Sequence, residues 1–349
     1  MDQNSIHEAF SRRPRPQAPS VPTHSSLLRQ SLQTDTQTTI TSPPPAHVSE
    51  KRSKGGSIEI IRKKADITST LHRDAYDDAL KGQDPWASLA RLGTLTQGDL
   101  QLTVCISRSK PQNMRMVKAA DDVKGSKEAR MINTLRHPNI IRLFEAFRHE
   151  SQVYLTLEYA PITLEEVVSV HLRLDESHMK LIACSIFSAI KHLCSQRVVH
   201  GNVSLRSIRI SEDSRLLLYT SVKIHQLTSK ASFDQVQERS GALPNTDFDG
   251  LGLALLQCMD GQVDRVKRDI EYVREQRALN KVFGLKEPEP WSGAKQLVDF
   301  LDDLFNHEKS VDAKVEKPHE YVRGDDPRAN LKHYVEMARL ECFFLWRPE

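Results

Sequence analysis

Cysteine is scarce in this 349-residue chain, and the five present, Cys105, Cys184, Cys194, Cys258 and Cys342, are scattered with no CxxC pair. That spacing argues against a disulfide framework or a zinc site and fits a reducing compartment. No apolar run approaches the length of a membrane span, and the first residues lack the apolar core of a signal peptide. A charge excess is missing too. Lys and Arg number 49 against 46 Asp and Glu, a formal net charge of +3, so the total does not point to nucleic acid. No residue pattern suggests a metal, haem or flavin. The expectation is a soluble cytoplasmic or nuclear protein with no membrane and no nucleic-acid partner.

Large apolar residues are also sparse over residues 1–56, where Ser, Thr, Gln, Pro and Arg dominate around Pro43-Pro44-Pro45. Such a stretch cannot offset its own ordering entropy and is expected to be a disordered tail. The basic clusters Lys51-Arg52 and Arg62-Lys63-Lys64 have roughly the spacing of a bipartite nuclear import signal. The plainer reading of the same residues is a solvated charge run.

From Trp86 the pattern changes. Short runs broken by turn residues read as strands as far as Ala120, and a helix is expected near Lys124–Leu135. "HPNIIRLFEAF" and "QVYLTLEYA" again read as strands. "ESHMKLIACSIFSAIKHLCSQ" carries Ile182, Ile186, Ile190 and Leu193 on one face of a buried helix. Short strands follow, and after Asp247 the chain reads as helical. Strands first and helices later argue for an α+β, two-part architecture. "ANLKHYVEMARLECFFLW" reads as an amphipathic helix ending in aromatics.

This order of elements resembles the eukaryotic protein kinase family. The resemblance rests on "HPNIIRLFEAF", "LTLEYA", "IFSAIKHLCSQRVVHGNVSLRSIRI" and "TDFDGLGLALLQCMDG" in that order. It implies a bilobal protein-kinase-like fold, a small β-rich N-lobe and a helical C-lobe, behind the disordered tail. Residues 57–85 would be a linker or helical lead-in, and 86–322 the kinase-like domain, its lobes being 86–158 and 159–322. Residues 323–349 would form the C-terminal amphipathic helix.

The resemblance also assigns residues. Lys118 would be the lysine of the third strand and Glu128 its helix partner. That pair either aims the lysine at phosphates or only ties helix to sheet. Glu158 and Ala160 would line the hinge of a vestigial nucleotide pocket. Gly93, Leu95 and Gly98 would replace the glycine-rich loop, although an ordinary hairpin reads them as well. Asn202 stands where the family has its aspartate base, and a neutral amide cannot take a proton as a carboxylate does. Ser207 and Gln226 stand where the two magnesium ligands would be. Met116 would crowd the roof of the adenine site. Arg209 would replace its apolar floor, either as a buried cation or turned to solvent with the pocket collapsed. Ile132, Leu143, Leu227 and His200 would stack as a column through both lobes, held by Asp247.

The implied function is a pseudokinase, a regulatory or scaffolding module for a protein partner, with no cofactor and no metal. The alternative is an atypical Ser/Thr protein kinase using ATP, for which Glu212, Asp213 and Asp249 are the carboxylates nearby in sequence.

Overall fold

A computed structural model describes residues 80–219, 225–226, 244–261, 269–279, 281–324, 329–341 and 346–348. The expected tail, both basic clusters and Leu227 lie outside these residues.

The sheet lobe begins with β1 (Leu89–Gln97) and β2 (Leu100–Ser107), an antiparallel hairpin paired to its tip at Gln97 and Leu100. Its two-residue turn needs a left-handed first position, and Gly98 supplies it at φ +59°. Then come β3 (Met114–Asp121), helix α1 (Asp122–Thr134), β4 (Leu143–His149) and β5 (Gln152–Glu158). The Asp121 carboxylate caps α1 by accepting from the Lys124 N–H at 2.8 Å. Apolar side chains from both sheet and helix, among them Leu102, Met116, Ala129, Ile132 and Leu155, form one buried cluster.

Residues 159–161 lead into the helical lobe. It contains β6 (Ile162–Thr163), α2 (Leu164–Ser169), α3 (Glu176–Ser195), β7 (Val198–Val199), β8 (Ile208–Ile210), β9 (Leu216–Leu218) and β10 (His225–Gln226). Helices α4 (Thr246–Asp260), α5 (Ile270–Ala278), α6 (Lys295–Phe305), α7 (Val311–Glu316) and α8 (Lys332–Glu341) follow. Ile182, Ile186, Ile190 and Leu193 of α3 are fully buried, so that face is the packing seam of the lobe. Beside it, α4 is buried along most of its length. Its Gly250 lies so close to the loop after β7 that a methyl there would sit 2.5 Å from the Val203 carbonyl oxygen.

Two features differ from the sequence reading. The C-terminal helix is described over Lys332–Glu341, and Trp346–Pro348 forms strand β11 instead of more helix. This strand pairs with β1, so the sheet runs β11-β1-β2-β3-β5-β4. At the other edge, Leu80 is buried in the sheet-lobe cluster and the Lys81 backbone pairs with Ala146 and Arg148 of β4. The lobe therefore starts before Trp86. A free sheet edge exposes unpaired backbone groups; here β11 pairs along β1, and the Lys81 backbone covers part of the β4 edge.

Candidate functional site

The cleft between the lobes is built outward from an ion pair. Lys118 points off β3 and Glu128 off α1, and the lysine Nζ donates to both carboxylate oxygens at 2.7 and 2.8 Å. Lys118 is 12% exposed and Glu128 3%. Burial pushes the Glu128 carboxyl above its ordinary range, and Lys118 opposes that.

Below the pair lies Arg209, in the middle of β8 and fully buried. Its Nη1 donates to the Ala160 carbonyl oxygen at 2.7 Å, and its Nη2 donates to Gln97 Oε1. Gln97, at the hairpin tip, turns its amide nitrogen to the Pro161 carbonyl at 2.8 Å and to both oxygens of Glu166 at 2.9 Å. Guanidinium only donates and carboxylate only accepts, so this orientation of the Gln97 amide satisfies both neighbours. Glu166 is held in turn by the backbone and hydroxyl of Thr163, the capping box of α2. Arg209 has not turned to solvent: charge, amide and carboxylate form a relay that brings the hairpin tip down on the helical lobe. Burial lowers the guanidinium's pKa, and Tyr219 and Glu166 act against it. Met116, with no exposure, packs in the same sheet-lobe cluster as Ala160. Glu158 is engaged outside the cleft, accepting from Arg215 Nη2 at 2.5 Å.

The loop after β7 is anchored rather than free. Asp247 of α4 accepts the backbone N–H groups of His200 at 2.8 Å and Gly201 at 2.7 Å. His200 Nε2 lies 2.9 Å from the Tyr219 carbonyl, and the Asn202 N–H lies 3.3 Å from its Nδ1. A carbonyl can only accept, so Nε2 carries the proton and Nδ1 accepts: a neutral imidazole with both nitrogens satisfied. Burial pulls its pKa down and pushes that of Asp247 up. Asn202 is exposed. The Ser207 hydroxyl closes a local turn, donating to the Ser204 carbonyl at 3.0 Å and accepting from the Ser204 N–H at 2.9 Å.

Gln226 needs correction as the position of a magnesium carboxylate. It sits on β10, paired with Val198. The chain passes the ion pair earlier, at Tyr219, whose ring centroid is 5.9 Å from Lys118 Nζ. The cause is the β8–β9 hairpin, where Leu216–Leu218 pairs directly with Ile210–Ile208. The residue after Tyr219 is Thr220, outside the described residues and again without a carboxylate. Of the column, Ile132 and Leu143 share one apolar cluster with Tyr219, while His200 joins Tyr219 to Asp247.

The carboxylates considered as stand-ins are placed elsewhere. Asp213 accepts from Ser211 and Arg215 in the β8–β9 turn, Glu212 is exposed beside it, and Asp249 is bonded to His307 at 2.7 Å. Among the described residues no group of three or more His, Cys, Asp or Glu could hold a metal ion, and no helix is long and apolar enough to cross a membrane.

Sequence reading passed over four residues. Gln97 and Glu166 complete the relay, and the Tyr219 ring has two cations near it, Lys118 and Arg209, the latter 5.2 Å from the ring centroid. Lys314 is buried in the helical lobe, donating to Asn245 Oδ1 at 2.9 Å and the Leu304 carbonyl at 2.8 Å. Burial lowers its pKa to about 8. Only Glu166 carried a signal, the Thr163–Glu166 capping spacing.

A sheet lobe and a helical lobe, a strand lysine paired to a helix glutamate, and a histidine loop held by a helical aspartate together define a protein-kinase-like domain. Residues 90–225 match the family model of the protein kinase domain. The serine/threonine-protein kinase ppk25 of Schizosaccharomyces pombe is 25% identical over 159 residues, covering 42% of this chain and 38% of that protein. The serine/threonine-protein kinase PAK mbt of Drosophila melanogaster is 22% identical over 297 residues, covering 78% of this chain and 46% of that protein. The protein kinase domain-containing protein ppk9 of Schizosaccharomyces pombe is 36% identical over 87 residues, covering 25% of this chain and 16% of that protein. The chain thus spans less than half the length of each of these relatives. It is similar to eukaryotic protein kinases, with the family match lying over residues 90–225.

Proposed function

We propose that this protein is a pseudokinase, a kinase-fold module that regulates or scaffolds a protein partner without transferring phosphate. The observation that carries this reading is the Arg209 guanidinium seated on the Ala160 carbonyl, in the space between hinge and hairpin. Phosphoryl transfer needs positioned phosphates, bound metal and a base near the acceptor hydroxyl. A magnesium nucleotide does not fit the residues present. Arg209 and Gln97 fill the floor and the mouth, Met116 fills the roof, and Asn202 and Ser207 offer an amide and a hydroxyl in place of carboxylate and amide. Meanwhile the ion pair and the anchored loop, which shape the fold, are kept.

Those same kept features favour a second reading, an atypical Ser/Thr protein kinase that uses ATP. It requires Arg209 to leave the hinge and another carboxylate to reach the phosphates. Thermal unfolding with and without ATP plus magnesium or manganese separates the two. A ligand at a hundred times its dissociation constant adds about 2.7 kcal/mol. No shift is expected. A metal-dependent shift lost in Lys118→Ala, together with phosphate transfer to a peptide lost in the same variant, overturns the pseudokinase reading.

A further inference from the structure

We propose that the outer edge of β1 is a strand-binding site whose ligand class is a short extended peptide, and that the protein occupies it with its own β11. The pairing is antiparallel, Leu95 with Trp346, Thr94 with Arg347 and Gly93 with Pro348. Every other strand of this sheet comes from residues 89–158, whereas β11 arrives from the far end of the chain. It is delivered by α8, which is seated on the helical lobe. The Tyr334 hydroxyl donates to the Arg173 carbonyl at 2.8 Å, His171 Nδ1 lies 2.8 Å from Glu341 Oε1, and Val335 and Ala338 are buried. The C-terminal segment therefore grips both lobes, α8 on one and β11 on the other.

The site is exchangeable because of its length. β1 spans Leu89–Gln97, and among the described residues β11 pairs with Gly93–Leu95 alone. So short a ladder holds chiefly because α8 keeps the strand at high effective concentration beside its edge. An extended segment of another protein would gain its affinity from the same main-chain bonds. Occupancy also reaches the cleft. The paired residues lie just before Gln97 on one strand, and Gln97 carries the bonds to Arg209, Pro161 and Glu166. Filling the edge stiffens the hairpin in its lowered position. This inference stands on backbone pairing and does not depend on whether the cleft binds nucleotide.

The test uses the chain truncated after Glu341 and a fluorescent synthetic peptide of residues 342–349. Anisotropy should show binding to the truncated chain and at least about tenfold weaker binding to the full chain. Amide exchange at Gly93–Leu95 should quicken on truncation and slow again with peptide. No binding to the truncated chain, equal binding to both chains, or unchanged exchange overturns the proposal. Should truncation prevent folding, the full chain carrying Thr94→Cys and Arg347→Cys decides. Mild oxidation should give a crosslink within one chain, and a crosslink between chains or none overturns the assignment.

Discussion

The Arg209 Nη1 group lies 2.7 Å from the Ala160 carbonyl oxygen, on a side chain with no solvent exposure at all. A guanidinium in such a place loses its hydration, and only nearby acceptors and countercharge make that tolerable. Ala160 and Gln97 supply the acceptors, and Glu166 supplies the charge through the Gln97 amide. The satisfaction is incomplete: Arg209 Nε and the Tyr219 hydroxyl are buried with no partner among the described residues. Both are the kind of group whose burial costs stability, so the arrangement is not what an optimised apolar core would use.

Replacing the plug should therefore open the cleft without unfolding the protein. Arg209→Leu removes a desolvated charge, and Met116→Ala clears the roof. A fluorescent adenine nucleotide should bind the double variant and leave the wild type unbound. Arg209→Ala alone leaves a cavity and should cost about 2–4 kcal/mol in urea unfolding. If the double variant is folded and still ignores nucleotide, Arg209 and Met116 are not what excludes it.

Lys118 is expected to matter for stability. Lys118→Met leaves Glu128 buried without its cation and should cost about 3 kcal/mol at neutral pH. The sign of its pH dependence follows from Glu128. Burial holds its folded pKa above the ordinary 4.5, so the folded state binds more protons than the unfolded chain above that pH. Stability of Lys118→Met should recover as pH falls toward 4.5 and worsen as it rises. Adding Glu128→Gln should restore much of the loss. Equal urea midpoints for wild type and Lys118→Met would leave the pair no structural role.

The ion pair and the loop anchor were legible through the resemblance to the kinase family, which assigned Lys118, Glu128, His200 and Asp247, whereas the seam of α3 was legible from apolar residues one turn apart. The relay was not, because Gln97 and Arg209 meet only when the hairpin comes down on the helical lobe, and neither residue type signals that approach. The register of Gln226 misled because "VKIH" alternates like a half-buried strand, whereas "LLLY", the strand that pairs, is apolar throughout. The last strand was hidden in the same way. "CFFLW" continues the apolar pattern of α8, so periodicity alone extends the helix to Trp346, where the structure has a strand.

Acid should destabilise the fold through histidine. Burial lowers the folded pKa of His200 from 6.5, and burial together with His192 lowers that of His137. Below pH 6.5 the unfolded chain takes up protons that the folded one refuses, so this stability is present above 6.5 and lost on acidification. Each group contributes at most about 1.4 kcal/mol per pH unit. Asp247, raised above 3.8 by burial, acts in the opposite sense and flattens the slope at the acid end. Urea midpoints should fall between about pH 7.5 and about pH 5.5. His200→Gln should show a shallower fall, with His137 supplying what remains. An unchanged slope in that variant contradicts the neutral, fully satisfied imidazole assigned here.

Two glycines should respond very differently to alanine, and the contrast tests which contacts hold the loop and the hairpin. At Gly250 the added methyl would meet the Val203 carbonyl oxygen at 2.5 Å and Val203 Cβ at 2.9 Å. Neither atom can swing away, so α4 must shift from the loop that Asp247 anchors, at a cost of about 3 kcal/mol. At Gly98 the methyl meets the end of the Arg206 side chain at 3.1 Å, which can move, and the main penalty is the left-handed φ. That should cost about 1 kcal/mol, and Gly98→Asn less, since asparagine tolerates this region. Amide exchange distinguishes the sites further. Gly250→Ala should loosen His200 and Gly201, whose N–H groups bond to Asp247, while Gly98→Ala should loosen only the hairpin tip. Comparable losses of stability, or loosening of the loop by Gly98→Ala, would show that α4 is not what fixes His200.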